Sequence, residues 1–164
     1  MNLLEALNIQ GQLTLQKRNA DDRIIEVIQA QNSIVLTGRE LVAKLFIKET
    51  KDTINPVSHV AVGMGTAAVN PQDRKLATEL FRKPINPIDV GRDLQSIDYQ
   101  GSTRKKVMIT ADLDLQEAIG GLTEAALFTG DEKDANVVMY NRVVFPVINK
   151  SADFKLTLIW EILF

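Results

Sequence analysis

The sequence predicts an α+β domain made mostly of antiparallel β-sheet, a sandwich-like meander with one main helix over about Thr37–Lys48. Three observations point to it. Period-two alternation of apolar and polar residues recurs along the chain, most plainly from Lys105 to Leu115, where Val107, Ile109, Ala111, Leu113 and Leu115 alternate with Lys106, Met108, Thr110, Asp112 and Asp114. One segment, after Thr37, changes to helical spacing. The length of 164 residues, 45% hydrophobic and 24% charged, suits a single soluble domain with a core of its own.

The elements follow in order. Gln12 to Arg18 places Leu13 and Leu15 on one face and Thr14 and Gln16 on the other. Asn19-Ala20-Asp21-Asp22 supplies a turn, and Arg23 to Gln29 resumes with Ile24, Ile25, Val27 and Ile28, which makes a β-hairpin. Thr37-Gly38-Arg39-Glu40 fits a capping box, and Leu41, Val42, Leu45 and Phe46 then recur at helical spacing to form a stripe that should lie on a sheet. Val57 to Val62 reads as a buried strand running into the glycine turn Gly63-Met64-Gly65. Asn70-Pro71 reads as a cap and first turn of a short helix through Lys75, and Thr78 to Ile85 as extended. Residues 86–103 are polar and glycine-containing and read as a long loop. Four further strands, Lys105–Leu115, Leu122–Phe128, Val137–Phe145 and Phe154–Phe164, succeed one another with short connections, the pattern of a meander. The whole is one domain, with residues 1–30 as an N-terminal arm and hairpin and 31–164 as the core.

Charge and composition exclude several functions. Nineteen basic against 21 acidic residues leave a formal charge of −2, which creates no field to draw in nucleic acid or an anionic membrane surface. The absence of cysteine removes disulfides, thiolate metal sites and cysteine nucleophiles. The N-terminus lacks the basic start and apolar block of a signal peptide, and no apolar run reaches the roughly 20 residues of a membrane helix.

No enzyme signature emerges from the residues that carry chemistry. Gly63-x-Gly65 with Ala68 is a fragment of a dinucleotide fingerprint without its helix or parallel sheet, and reads as a glycine turn. His59, the single histidine, has no partners at metal-ligand spacing, and it reads as a strand residue facing solvent or a loop carbonyl. Asp112, Asp114 and Glu117 read as a solvated face. Catalytic, cofactor and metal residues are therefore assigned to none, and no small-molecule substrate is expected. Glu124 differs from these acids, because it lies in the apolar run Leu122-Thr-Glu-Ala-Ala-Leu-Phe128 on the parity of Leu122, Ala126 and Phe128. A buried carboxylate is costly unless paired, so a partner such as Arg142 or Arg82 is required, and Glu124–Arg142 is assigned as a structural ion pair that fixes strand register.

Two segments read as docking surfaces. Leu3, Leu4 and Leu7 stand at helical spacing ahead of the first strand, with too little surface to bury alone. The terminal strand from Leu156 is apolar on both parities, and Ile159, Trp160, Leu163 and Phe164 are its candidate interface residues in a homo-oligomer.

Together, Val57-Ser-His-Val-Ala-Val-Gly-Met-Gly-Thr66, the Asn70-Pro71 step, Leu76-Ala-Thr-Glu-Leu-Phe-Arg82, Gly121-Leu-Thr-Glu-Ala-Ala-Leu-Phe128 and Lys150 before a terminal strand form an ordered series. That series, within Ile34 to Phe164, resembles the N-terminal domain of phage tail-collar fibre proteins and the small phage and prophage virion proteins that carry this domain alone. The resemblance implies a non-enzymatic virion structural protein, made in the host cytoplasm, which joins tail or baseplate neighbours and attaches fibres as a homo-oligomer, with three subunits favoured. No fibre shaft follows Phe164, so receptor binding is not expected of this polypeptide. A capsid decoration protein and a small enzyme are the alternatives.

Overall fold

The computed structural model describes residues 9–47 and 55–164. It is predominantly antiparallel β with one main helix, as its α+β sequence pattern predicts. Among the described residues, ten strands form two five-stranded sheets. The front sheet has the order β2 (Ile24–Gln31), β1 (Gln10–Arg18), β10 (Lys155–Leu163), β7 (Ser102–Leu113) and β6 (Leu94–Tyr99). The back sheet has the order β3 (Ser33–Ile34), β9 (Met139–Lys150), β8 (Gly120–Phe128), β4 (His59–Gly63) and β5 (Glu79–Pro84). The inward residues of both, among them Leu13, Leu15, Leu158 and Trp160 in front and Val60, Val62, Leu127 and Val143 behind, form one apolar cluster, which makes the molecule a sandwich.

The last four long strands are not a meander. β8 and β9 form a hairpin in the back sheet, while β7 crosses over to pair with β10 in the front sheet, from Leu113↔Leu156 to Lys106↔Leu163. Alternation along each strand is equally satisfied by either arrangement, so it could not choose between them. The N-terminal hairpin is integral to the front sheet, since β1 lies between β2 and β10.

Residues 86–103 are not a loop throughout. Asp89 caps a single helical turn, α2 (Val90–Asp93), by accepting from the Gly91 N–H at 2.9 Å, and the chain passes directly into β6. Asn70-Pro71 opens no helix. The Asn70 side chain instead accepts from the Gln72 N–H, and the Asp73 N–H donates to the Asn70 carbonyl, closing a turn.

Helix α1 spans Leu36–Ile47, with only Gly38 and Leu41 buried. Its first turn runs along β9 where the short β3 ends, rather than laying a stripe across a sheet face. The Thr37 hydroxyl donates to the Met139 carbonyl at 2.7 Å instead of capping the helix, and a Cβ on Gly38 would collide with the Tyr140 carbonyl. The expected end of the helix at Lys48 lies outside the described residues.

Candidate functional site

A β-bulge decides where Glu124 points. The register between β8 and β9 shifts between Leu122 and Glu124, so Leu122 joins the core between the sheets while Glu124, Ala126 and Phe128 turn to the outer face of the back sheet. Leu122 and Glu124 therefore do not share a face, as simple parity would have them. Arg142 faces Ala126 across the β8–β9 ladder, which makes it the diagonal neighbour of Glu124 on that same face.

The two side chains meet there, Glu124 being 0% and Arg142 2% exposed, with Arg142 Nη2 2.8 Å from Glu124 Oε2 and Nε at 2.9 Å. Arg82, the other partner considered for Glu124, forms its own ion pair with Glu79 at 2.7 Å and stacks its guanidinium 3.7 Å over the Phe128 ring. The segment between β4 and β5 closes over the Glu124–Arg142 pair. Glu124 Oε1 accepts from the N–H groups of Thr78 at 2.7 Å and Gly65 at 2.9 Å, and Oε2 from that of Ala77 at 3.0 Å. Arg142 donates to the Ala67 carbonyl at 3.1 Å and reaches Asp73 Oδ2 at 2.9 Å. Thr123 adds a hydroxyl bond to the Gly65 carbonyl at 2.9 Å. Leu76 and Val69 from the same segment pack on Ala126, Phe128 and Met139, a second apolar cluster outside the sandwich.

The glycine turn takes its meaning from this clasp. A Cβ on Gly63 would meet the Thr78 carbonyl and Glu124 Oε1, and one on Gly65 would strike the Glu124 carboxylate and the Ala77 side chain. These glycines let backbone N–H groups approach a carboxylate, the geometry that dinucleotide sites use for phosphate, but here the anion belongs to the protein. Burial pushes the Glu124 carboxyl up, but the N–H groups of Thr78 and Ala77, the Arg142 guanidinium and the Gly65 N–H outweigh it and hold the group below the usual glutamate range. Both oxygens are engaged and the group has no face toward solvent, so its chemistry is that of a fastener.

A similar fastener closes the opposite connection. Lys150, 2% exposed, donates to the carbonyls of Asp114, Leu115 and Ser151 at 2.9, 3.1 and 2.9 Å, pinning the β7–β8 loop, and burial lowers its pKa. Asp112 accepts from Thr157 at 2.6 Å and from Asn86 at 2.8 Å, and Glu117 meets Lys83 at 2.6 Å. His59 Nδ1 lies 2.9 Å from the Ser58 hydroxyl. Among the described residues no group of three His, Asp or Glu could hold a metal ion, and no helix is long and apolar enough to cross a membrane.

The candidate interface residues separate. Trp160 is 0% exposed on the inner face of β10, opposite Leu13 and Ile109, and belongs to the chain's own core. Leu163 is 8% exposed, set between Gln10 and Lys106 below the bridge that the Tyr99 hydroxyl makes to Gln10 at 3.1 Å. Trp160 is corrected from interface to interior, whereas Leu163 lies on the outer face of the front sheet. On the second parity of β10, Thr157 is 8% exposed and Glu161 pairs with Lys106 at 2.7 Å. Ile159 remains half-buried on the outer face and Phe164 is 37% exposed. Leu3, Leu4 and Leu7 lie outside the described residues. The outer face of the front sheet carries a shallow cleft of about 280 Å³ among Gln10, Gln12, Gln31, Tyr99, Lys106 and Glu161.

No family model, curated protein or solved structure matches this chain.

Proposed function

We propose that the chain is a non-enzymatic structural protein of a bacteriophage particle, a tail, baseplate or fibre-attachment component that works as a homo-oligomer through protein–protein contacts. The observation that carries this reading is spatial. The stretches that resemble the tail-collar fibre domain, Val57–Thr66, Leu76–Arg82 and Gly121–Phe128, are adjacent in the back sheet as β4 with its glycine turn, β5 and β8, and Glu124 ties them together. Residues scattered through the sequence thus form one rigid unit whose polar groups are spent on each other, as a scaffold requires.

Separating purified particles into heads and tails and probing each fraction for the chain tests the position. Recovery with tails or baseplates is the expected result. Recovery with heads would replace the reading with capsid decoration, and absence from both would remove it.

A further inference from the structure

We propose that the outer face of the front sheet binds an extended, uncharged carbohydrate chain along a lane over β1, β10 and β7. The proposal goes beyond the structural role above and does not rest on it. Two clefts open on this face, the one of about 280 Å³ beside Tyr99 and another of about 630 Å³ beside Asn86 and Thr157. They adjoin, because Glu161 of the first pairs with Met108 of the second across the β10–β7 ladder. From Lys106 to Asp112 the lane runs about 20 Å at the usual rise of a strand.

Its floor is rich in amides and hydroxyls. Leu13, Leu15 and Trp160 turn into the core, so the alternate residues of the same strands face out. The registers set Gln12 against Gln31 and Glu161, and Thr14 against Gln29 and Ile159, with Thr110 next beside Ile159. The side chains of Gln12, Gln29 and Gln31 make no hydrogen bond to another described residue, although Gln12 is half-buried.

The lane's chemistry selects its ligand by elimination. β1 and β10 are flanked on both sides, and β7 by β6 and then by the Asn86 N–H on the Thr110 carbonyl and Lys83 on the Asp112 carbonyl. No open backbone edge is left for an added peptide strand, so recognition falls to side chains. The lining carries three cations, Arg18, Lys106 and Lys155, against four carboxylates, Asp22, Asp112, Asp114 and Glu161, which disfavours phosphates and polyanions. Met108, Ile159 and Leu163 are half-buried or buried, too little surface for an apolar partner. A sugar chain matches what remains. Each of its hydroxyls both donates and accepts, as each glutamine amide does. The C–H face of a sugar ring suits the Tyr99 ring, which the bond from its hydroxyl to Gln10 holds at one end of the lane.

At 18.2 kDa the chain suits NMR of its glutamine side-chain amides. Their signals would be followed as maltohexaose, cellohexaose, mannohexaose or N-acetylchitohexaose is added to millimolar concentration, with a heparin hexasaccharide as the polyanionic comparison. The expected result is that at least one neutral hexasaccharide moves the Gln12, Gln29 and Gln31 signals saturably and binds more tightly than its own monosaccharide. Gln12→Ala and Gln31→Ala should each weaken that binding about fivefold to tenfold with unchanged circular dichroism. Gln72→Ala, exposed in the segment between β4 and β5, should leave it unchanged. No shift from any of the four neutral sugars, shifts confined to other residues, a response to heparin alone, or unaltered binding in both Gln12→Ala and Gln31→Ala would overturn the proposal. None of these outcomes bears on recovery of the chain with particles, so the two readings fail separately.

Discussion

Replacing Glu124 by alanine should be among the most damaging single substitutions in the back sheet. The change removes the acceptor of three backbone N–H groups, those of Gly65, Ala77 and Thr78, and strips a buried guanidinium of one of its two carboxylates. Breaking a buried ion pair from one side costs about 3–5 kcal/mol. Three stranded donors at about 1–3 kcal/mol each would add more if the clasp stayed shut, but its segment can lift and admit water, and Asp73 keeps part of its hold on Arg142. The expected loss is therefore about 3–5 kcal/mol, a large share of the 5–15 kcal/mol typical of a domain. At about 2–4 °C per kcal/mol, the midpoint should fall by about 6–20 °C in calorimetry. Glu132→Ala, in an exposed loop, is the control and should stay within about 0.5 kcal/mol of wild type. If the two variants melt together near wild type, the clasp does not hold the β4–β5 segment, and the reasoning from its hydrogen bonds is wrong.

Three other outcomes follow from the same geometry. The fold holds the Glu124 carboxyl below its ordinary range, so the unfolded chain takes up the proton first; the clasp's contribution is complete above that range and is lost as pH falls, and Glu124→Gln should flatten the acid limb of a stability–pH curve measured by urea unfolding. Gly65→Ala sets a methyl against the Glu124 carboxylate and should cost about 1–3 kcal/mol in the same assay, while Glu124→Ala made together with it should cost less than the sum of the two. The Tyr140 phenol is buried without a hydrogen-bond partner and its pKa is pushed up to about 12, so Tyr140→Phe should be neutral or stabilising by up to about 1 kcal/mol, and alkaline absorbance titration should show one of the two tyrosines ionising late.

The parts of the fold legible in the sequence are those set by neighbours along the chain. The turn at Asn19–Asp22, the alternation before it and the β-branched run after it specify the first hairpin, and the spacing of Leu41, Val42 and Leu45 specifies α1. Pairing over long separations has no such signature. The same alternation in Lys105–Leu115 serves a meander or a crossover, and only the packing of two sheets around Trp160 and Leu127 selects the β7–β10 pair. β6 was hidden because an edge strand such as Leu-Gln-Ser-Ile-Asp-Tyr buries little and shows weak periodicity.

At the candidate site, the cost of burying a charge was enough to pair Glu124 with an arginine. The sequence could not show that Gly65, Ala77 and Thr78 would complete the carboxylate's shell, since backbone donors leave no residue type behind. The pair of glycines at 63 and 65 was the available signal. Nor could it show that the bulge before Glu124 turns the side chain outward, or that Trp160 faces the core between the sheets.

The most direct test of the proposed structural role in a phage particle is quantitative mass spectrometry of gradient-purified particles from a lysate of cells that produce the chain. A virion component should be present at a fixed, multiple copy number that survives repeated purification and tracks tail or baseplate proteins through disruption. Abundance in infected cells with absence from purified particles would contradict it.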